Sequence, residues 1–210
     1  MLISSEKKIL FFHIPKTAGS SIYNSLRLSC LDCNNLHRNL TSHYIKNKKL
    51  LKKFSIDFHI DQLSLKEILD TAALSVHNYF EFTIVRNPYD RLLSQYNFDA
   101  RPVSTRKYSD FDSFLDLYED PDYVNPTTPF WYKSQLSWIR NPLSKNFKYY
   151  KYEELDKAWI DIREKTSIDL PNLPLINKNN VSKLAELKQS YKDRIYNMFR
   201  DEFDLLNYEK

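Results

Sequence analysis

The stretch FFHIPKTAGSSIYNSL, residues 11–26, decides how this chain is read. It passes from an apolar, aromatic run through Pro15 into a short loop, and from that loop into a segment of helical character from about Ser20 to Ser29. It also holds Gly19, the only glycine among 210 residues, where average usage would place roughly fifteen. A strand, a tight turn and a helix start together make an anion site. The first N–H groups of a helix have no partner within it, and the helix dipole adds partial positive charge there. Lys16 contributes a full charge, and Thr17, Ser20 and Ser21 add hydroxyl donors. At Gly19 the missing Cβ allows close approach of the backbone to an anion, or a positive φ. A chain that otherwise lacks glycine keeps one here, which argues that no other side chain fits. The plainer alternative is a helix cap beside an exposed lysine.

Outward from this loop the chain alternates strands and helices. KILFFHI (8–14) reads as a buried strand, EFTIVRN (81–87) as a second, and FKYYKYEEL as a third that enters a helix from about Glu153 to Lys165. The second strand runs into NPYDRLLSQYNF, a helix with Asn87 as cap and Pro88 in its first turn. Further helices are expected at 64–74, where Ser64 and Glu67 form a capping box, near FDSFLDLY, and over WYKSQLSWI. A closing amphipathic helix spans 182–206, with Leu184, Leu187, Tyr191, Ile195, Met198 and Phe199 at helical spacing. The basic run KNKKLLKK within 35–55 reads as a solvated helical face, with attraction of an acidic substrate as the alternative. Strands leading into helices predict an α/β fold, a parallel sheet covered on both faces. Ligands then bind at the carboxyl ends of the strands, where the loops after residues 14 and 85 lie.

Composition narrows the classes. A net charge of +4 and a pI of 8.8 favour an anionic ligand but are too weak to imply nucleic acid. No stretch approaches a membrane span. EKKILFFHI lacks a cleavage site and ends at Pro15 and Lys16, so it reads as a strand rather than a signal peptide. Cys30 and Cys33, followed by His37 and His43, raise zinc. Only three residues separate Cys33 from His37, however, too few for a finger. The CxxC also ends a helix rather than starting one, against a redox role. Two reduced thiols in a cytoplasmic protein are the expectation.

The Walker A pattern GxxxxGK[ST] does not fit, because there is one glycine and the lysine precedes it. PKTAGSS (15–21) instead resembles the 5′-phosphosulfate loop of sulfotransferases that use 3′-phosphoadenosine 5′-phosphosulfate (PAPS), in its carbohydrate-sulfotransferase form. FTIVRNPYDRLLSQY resembles the 3′-phosphate motif of the same family, in which an arginine ending a strand and a serine eight residues later hold that phosphate; Arg86 and Ser94 match. Taken alone this second motif is weak, its alternative being an arginine paired with Asp90. The two motifs in order, about seventy residues apart, are specific together. FHIDQLSLKEIL, KSQLSWI, YYKYEEL, LPLINKN and IYNMFRDEFDLLNY also look like family landmarks, so the similarity covers nearly the whole chain. The fold implied is a P-loop-like three-layer α/β fold, a central parallel sheet flanked by helices, as one sulfotransferase domain over 1–210.

The resemblance implies sulfuryl transfer from PAPS to a hydroxyl or amine of a carbohydrate or glycan acceptor. The product is adenosine 3′,5′-bisphosphate (PAP), and no metal is required. Lys16, Thr17, Ala18, Gly19, Ser20 and Ser21 would hold the 5′-phosphosulfate, and Arg86 and Ser94 the 3′-phosphate, with Arg91 and Gln95 close by on the helix. Lys16 would also serve the leaving oxygen. His59 is the first choice for the base, with Glu153 and Glu154 as rivals; His13, inside a strand, is a poor candidate. Aromatic residues between Tyr108 and Tyr132 suit either a sugar or a core, and Trp131 and Trp138 are the ones worth testing, Trp138 more as core. A non-catalytic phosphoadenosine or glycan module and a P-loop-type kinase are the competing readings. The expected location is the cytoplasm; neither the acceptor nor the oligomeric state is legible.

Overall fold

A computed structural model describes residues 2–29, 75–100, 108–120, 134–173 and 187–210. They belong to two compact units, one of residues 1–85 and 137–176 and the other of residues 86–136 and 177–210. The expected helix at 64–74, the basic region 35–55, Cys30, Cys33, His37, His43, His59 and Trp131 lie outside the described residues, as do residues 182–186 of the closing helix.

The first unit is built on a four-stranded sheet in the order β1 (Leu2–Ser4), β2 (Ile9–Phe12), β3 (Phe80–Val85) and β4 (Asn146–Lys151). β2, β3 and β4 are parallel neighbours, with Phe11 opposite Phe82 and Phe82 opposite Lys148. β1 departs from the all-parallel expectation: it pairs antiparallel to β2, with Leu2 opposite Phe11. Three residues carry too little alternation to be recognised as a strand from sequence. β2 leads to α1 (Gly19–Ser29) and β4 to α4 (Leu155–Thr166) through a 3-10 turn at Tyr152–Glu154.

Both faces of β2 and β3 are buried, which is why they read as continuous apolar runs rather than as alternating ones. One face sends Ile9, Phe11, Phe82, Ile84 and Tyr150 against Ile22 and Leu26 of α1 and Ala158, Trp159 and Ile162 of α4. Phe82 is the centre of its aromatic contacts, with ring centroids 5.1 Å from Phe11, 5.2 Å from Phe80 and 6.3 Å from Tyr150. The other face of β3 carries a buried charge, Glu81. Its Oε2 accepts the N–H groups of Leu143 and Ser144, each at 2.6 Å. That carboxylate fastens the turn leading into β4, because a buried charge is tolerated only where donors meet it.

The second unit is helical: α2 (Pro88–Asp99), α3 (Phe111–Glu119) and α5 (Gln189–Leu206). Asn87 caps α2 as expected, its Oδ1 accepting the Tyr89 N–H at 2.9 Å, with Pro88 in the first turn. Asp110 and Ser113 form a capping box on α3. Tyr89, Leu92, Phe114, Leu115, Tyr118, Ile195, Phe199 and Phe203 make the core of this unit, with Tyr108 and Phe111 packed against it. The aromatic residues of this stretch that the structure describes are thus core. Arg194 on α5 ties down α3 through Asp112, Asp116 and Glu119. Truncating a fully buried aromatic loses its transfer free energy and leaves a cavity. Phe82→Ala should therefore lower unfolding stability by about 3–5 kcal/mol, read by urea denaturation.

Candidate functional site

β2 and β3 end side by side, Phe12 opposite Thr83. The Thr83 hydroxyl donates to the Phe12 carbonyl at 2.8 Å, occupying that oxygen where the chain leaves the sheet. The chain then turns through Pro15–Ala18 into α1. Lys16 (φ 70) and Ala18 (φ 63) both take left-handed backbone, a conformation disfavoured for residues with a Cβ and one that collects at ligand-holding turns. The Thr17 hydroxyl is buried and donates back to the Ile14 carbonyl at 2.9 Å, bracing the turn from within. Its proton is therefore committed, and what Thr17 can offer a ligand is its main chain. The Ala18 carbonyl accepts from the N–H groups of Ser21 (3.0 Å) and Ile22 (3.2 Å), which starts the helix. Lys16 is half-buried, Ser20 exposed and Ser21 buried.

The lone glycine has a reason that the sequence did not show. Gly19 does not have positive φ; the left-handed residues are its neighbours. Its missing Cβ is instead required by His13. A Cβ at residue 19 would stand 1.7 Å from His13 Cδ2 and 2.6 Å from Cγ, far inside contact distance. The imidazole is buried and stacks on Phe11, with centroids 6.2 Å apart at 15°. It fills the space between the strand end and the first residue of α1. His13, a poor candidate for the base in the sequence, packs directly under the loop.

Arg86 immediately follows the last residue of β3, and Ser94 lies on α2. Both belong to the second unit, whereas the Lys16 turn belongs to the first. Arg86 is half-buried and Ser94 is buried. The Arg86 N–H donates to Gln135 Oε1 at 2.8 Å, and the Arg86 carbonyl accepts from Gln135 Nε2 at 2.8 Å. Glu202 on α5 takes the Gln135 N–H and its second Nε2 hydrogen, each at 2.7 Å. Gln135 and Glu202 were not singled out from sequence, because positions 86, 135 and 202 share no spacing that would link them. Gln95 is turned to Asp99 (3.0 Å), which Tyr108 also reaches at 3.2 Å, so that amide serves the helix.

Among the remaining candidates, Glu153 and Glu154 are exposed on the 3-10 turn after β4, with Glu154 paired to Lys157 at 3.4 Å. Trp138 is fully buried and presents no face to a sugar, which removes it as an acceptor platform. A cavity of about 450 Å³ lined by Lys7, Lys8, Phe80, Asn146, Lys148 and Lys165 opens at the amino ends of the strands. It is therefore at the other edge of the sheet from the Lys16 turn. Among the described residues no group of three or more His, Cys, Asp and Glu is placed to hold a metal ion. No described helix is long and apolar enough to cross a membrane.

The model of the sulfotransferase family matches residues 1–209. No curated protein and no solved structure matches the chain at significant similarity.

The His13–Gly19 fit makes a test of the loop's architecture. Gly19→Ala should destabilise the protein by about 1–3 kcal/mol, the usual effect of forcing an atom into filled space. In the presence of His13→Ala the same change should become nearly harmless. A thermodynamic cycle from denaturation of the four proteins measures this, and simple additivity would show that His13 is not the obstacle.

Proposed function

Because the chain belongs to the sulfotransferase family, we propose that it moves a sulfuryl group from PAPS to a hydroxyl or amine of a carbohydrate acceptor. The observation that carries this reading is the turn between β2 and α1. There Lys16 and Ala18, both left-handed, stand at the N-terminus of an 11-residue helix. Such a turn offers main-chain N–H groups, a dipole and a full positive charge to one anionic group.

In this reading Lys16, Thr17, Ala18, Gly19, Ser20 and Ser21 hold the 5′-phosphosulfate, and Arg86 with Ser94 holds the 3′-phosphate. An arginine suits that second role, since its planar fork matches phosphate oxygens. The acceptor oxygen or nitrogen attacks sulfur in line with the bond to the phosphate oxygen. That S–O bond breaks, PAP departs, and the acceptor proton passes to a base. His59 is the proposed base, with Glu153 or Glu154 in its place if His59 proves dispensable. A loose transition state throws charge onto the leaving phosphate oxygen, where Lys16 stabilises it. The sulfuryl group carries less charge than a terminal phosphoryl group, so lysine and main-chain donors suffice without a divalent ion. A cytoplasmic setting, with reduced Cys30 and Cys33, belongs to the same proposal.

A ligand that binds only the folded state adds ~2.7 kcal/mol of stability at a hundred times its dissociation constant. PAP should raise the melting temperature clearly, ADP less, and neither effect should need Mg²⁺. Equal shifts from both nucleotides, or dependence on Mg²⁺, would favour a kinase. Transfer of labelled sulfate from PAPS to a saccharide panel should disappear in Lys16→Ala while the fold persists. PAP binding without any transfer would leave a binding module. His59→Ala should reduce transfer by 10²-fold or more, the usual scale of a lost general base; undiminished transfer would move the base elsewhere.

A further inference from the structure

We infer that Gln135, held in place by Glu202, is the positioning residue for the 3′-phosphate contact: it fixes the main chain of Arg86 and thereby aims its guanidinium. The inference rests on the proposed role of Arg86.

Arg86 is the first residue past β3, beyond the last paired residues of the ladder, Val85 and Lys151. Half-buried N–H and C=O groups in such a place need other partners. Here one side chain from 49 residues away serves both: Gln135 accepts from the N–H and donates to the carbonyl, each at 2.8 Å. A primary carboxamide meets both needs with one planar unit, since it carries an acceptor and a donor side by side. The two bonds close a ring across the Cα of Arg86, one on each flanking peptide, and leave its Cα–Cβ direction little freedom.

Gln135 is in turn immobilised. Its remaining Nε2 hydrogen and its own N–H both go to the Glu202 carboxylate at 2.7 Å, one to each oxygen. Gln135 is 0 % exposed and Glu202 1 %. The orientation of the amide is also determined, because a flip would set its oxygen against Glu202 and its NH₂ against the Arg86 N–H. A charge at this depth carries a desolvation penalty that a simple loop anchor would not require. What it secures is a strong acceptor that stops the amide from rotating. An arginine whose main chain is already fixed loses less freedom when it closes on a phosphate, so more of the contact survives as affinity.

The test uses two nucleotides that differ only in the 3′-phosphate. Isothermal titration with PAP and with adenosine 5′-phosphate gives the preference of the wild-type protein, and Arg86→Ala sets the value without the guanidinium. Gln135→Met keeps the length of the side chain and removes its hydrogen bonds. It should weaken PAP binding at least tenfold while changing adenosine 5′-phosphate binding by less than twofold. In PAPS turnover it should raise KM more than it lowers kcat. Glu202→Gln, which sets a donor against Gln135 but conserves shape, should move both readouts the same way and serves if Gln135→Met does not fold. Folded variants that keep the wild-type preference for PAP would overturn the inference while leaving the role of Arg86 intact. If the wild-type protein shows no preference, or Arg86→Ala retains it, the Arg86 assignment itself fails and takes the inference with it.

Discussion

Phe12 and Thr83 face each other where two parallel strands run out, and the Thr83 hydroxyl holds the Phe12 carbonyl at 2.8 Å. Parallel pairing brings the ends of β2 and β3 to the same edge of the sheet, so the segments that follow both strands depart from it. Parallel strands need a crossover between them and burial on both faces. The aromatic contacts of Phe82 with Phe11, Phe80 and Tyr150 supply part of that burial on one face. Were the pairing of β2 with β3 to slip by a residue, Phe82 would exchange faces with Glu81. The carboxylate that now fastens Leu143 and Ser144 would then point into the aromatic cluster.

At that edge the turn after β2 is held by exclusion as much as by bonding. The His13 ring occupies the volume that any side chain at residue 19 would need. The strain sits on Lys16 and Ala18, both left-handed, rather than on the residue best able to bear it. Glycine is normally kept where backbone rotation demands it; here it is kept because a neighbouring ring demands space. The Thr17 hydroxyl, spent on the Ile14 carbonyl, shows the same economy: side chains brace the turn from inside, so its main chain and Lys16 are what it can present outward.

Much of this was legible beforehand. Asn87 and Pro88 announced the start of α2, and the cap forms as read. The apolar runs at residues 8–14 and 81–87 contain β2 and β3, and the aromatic FKYYK contains β4. These signals are local: a cap, a proline or an unbroken apolar run acts through neighbours in the chain. β1 escaped because three residues carry no period, and it contributes the one antiparallel pairing among the described strands. Trp138 read more as core than as a platform for a sugar, and its complete burial agrees with that reading.

By itself the sequence determined the family, the α/β class and the Asn87 cap that starts α2, since each of these is written in contiguous residues. The tertiary structure decided which atoms those residues answer to. That Gly19 yields to His13, and that Gln135 and Glu202 take hold of the Arg86 main chain, depends on groups far apart in the chain or set by loop geometry. Steric exclusion and buried hydrogen bonds act through space over a few ångströms, and no spacing along a chain records which residues folding will bring that close.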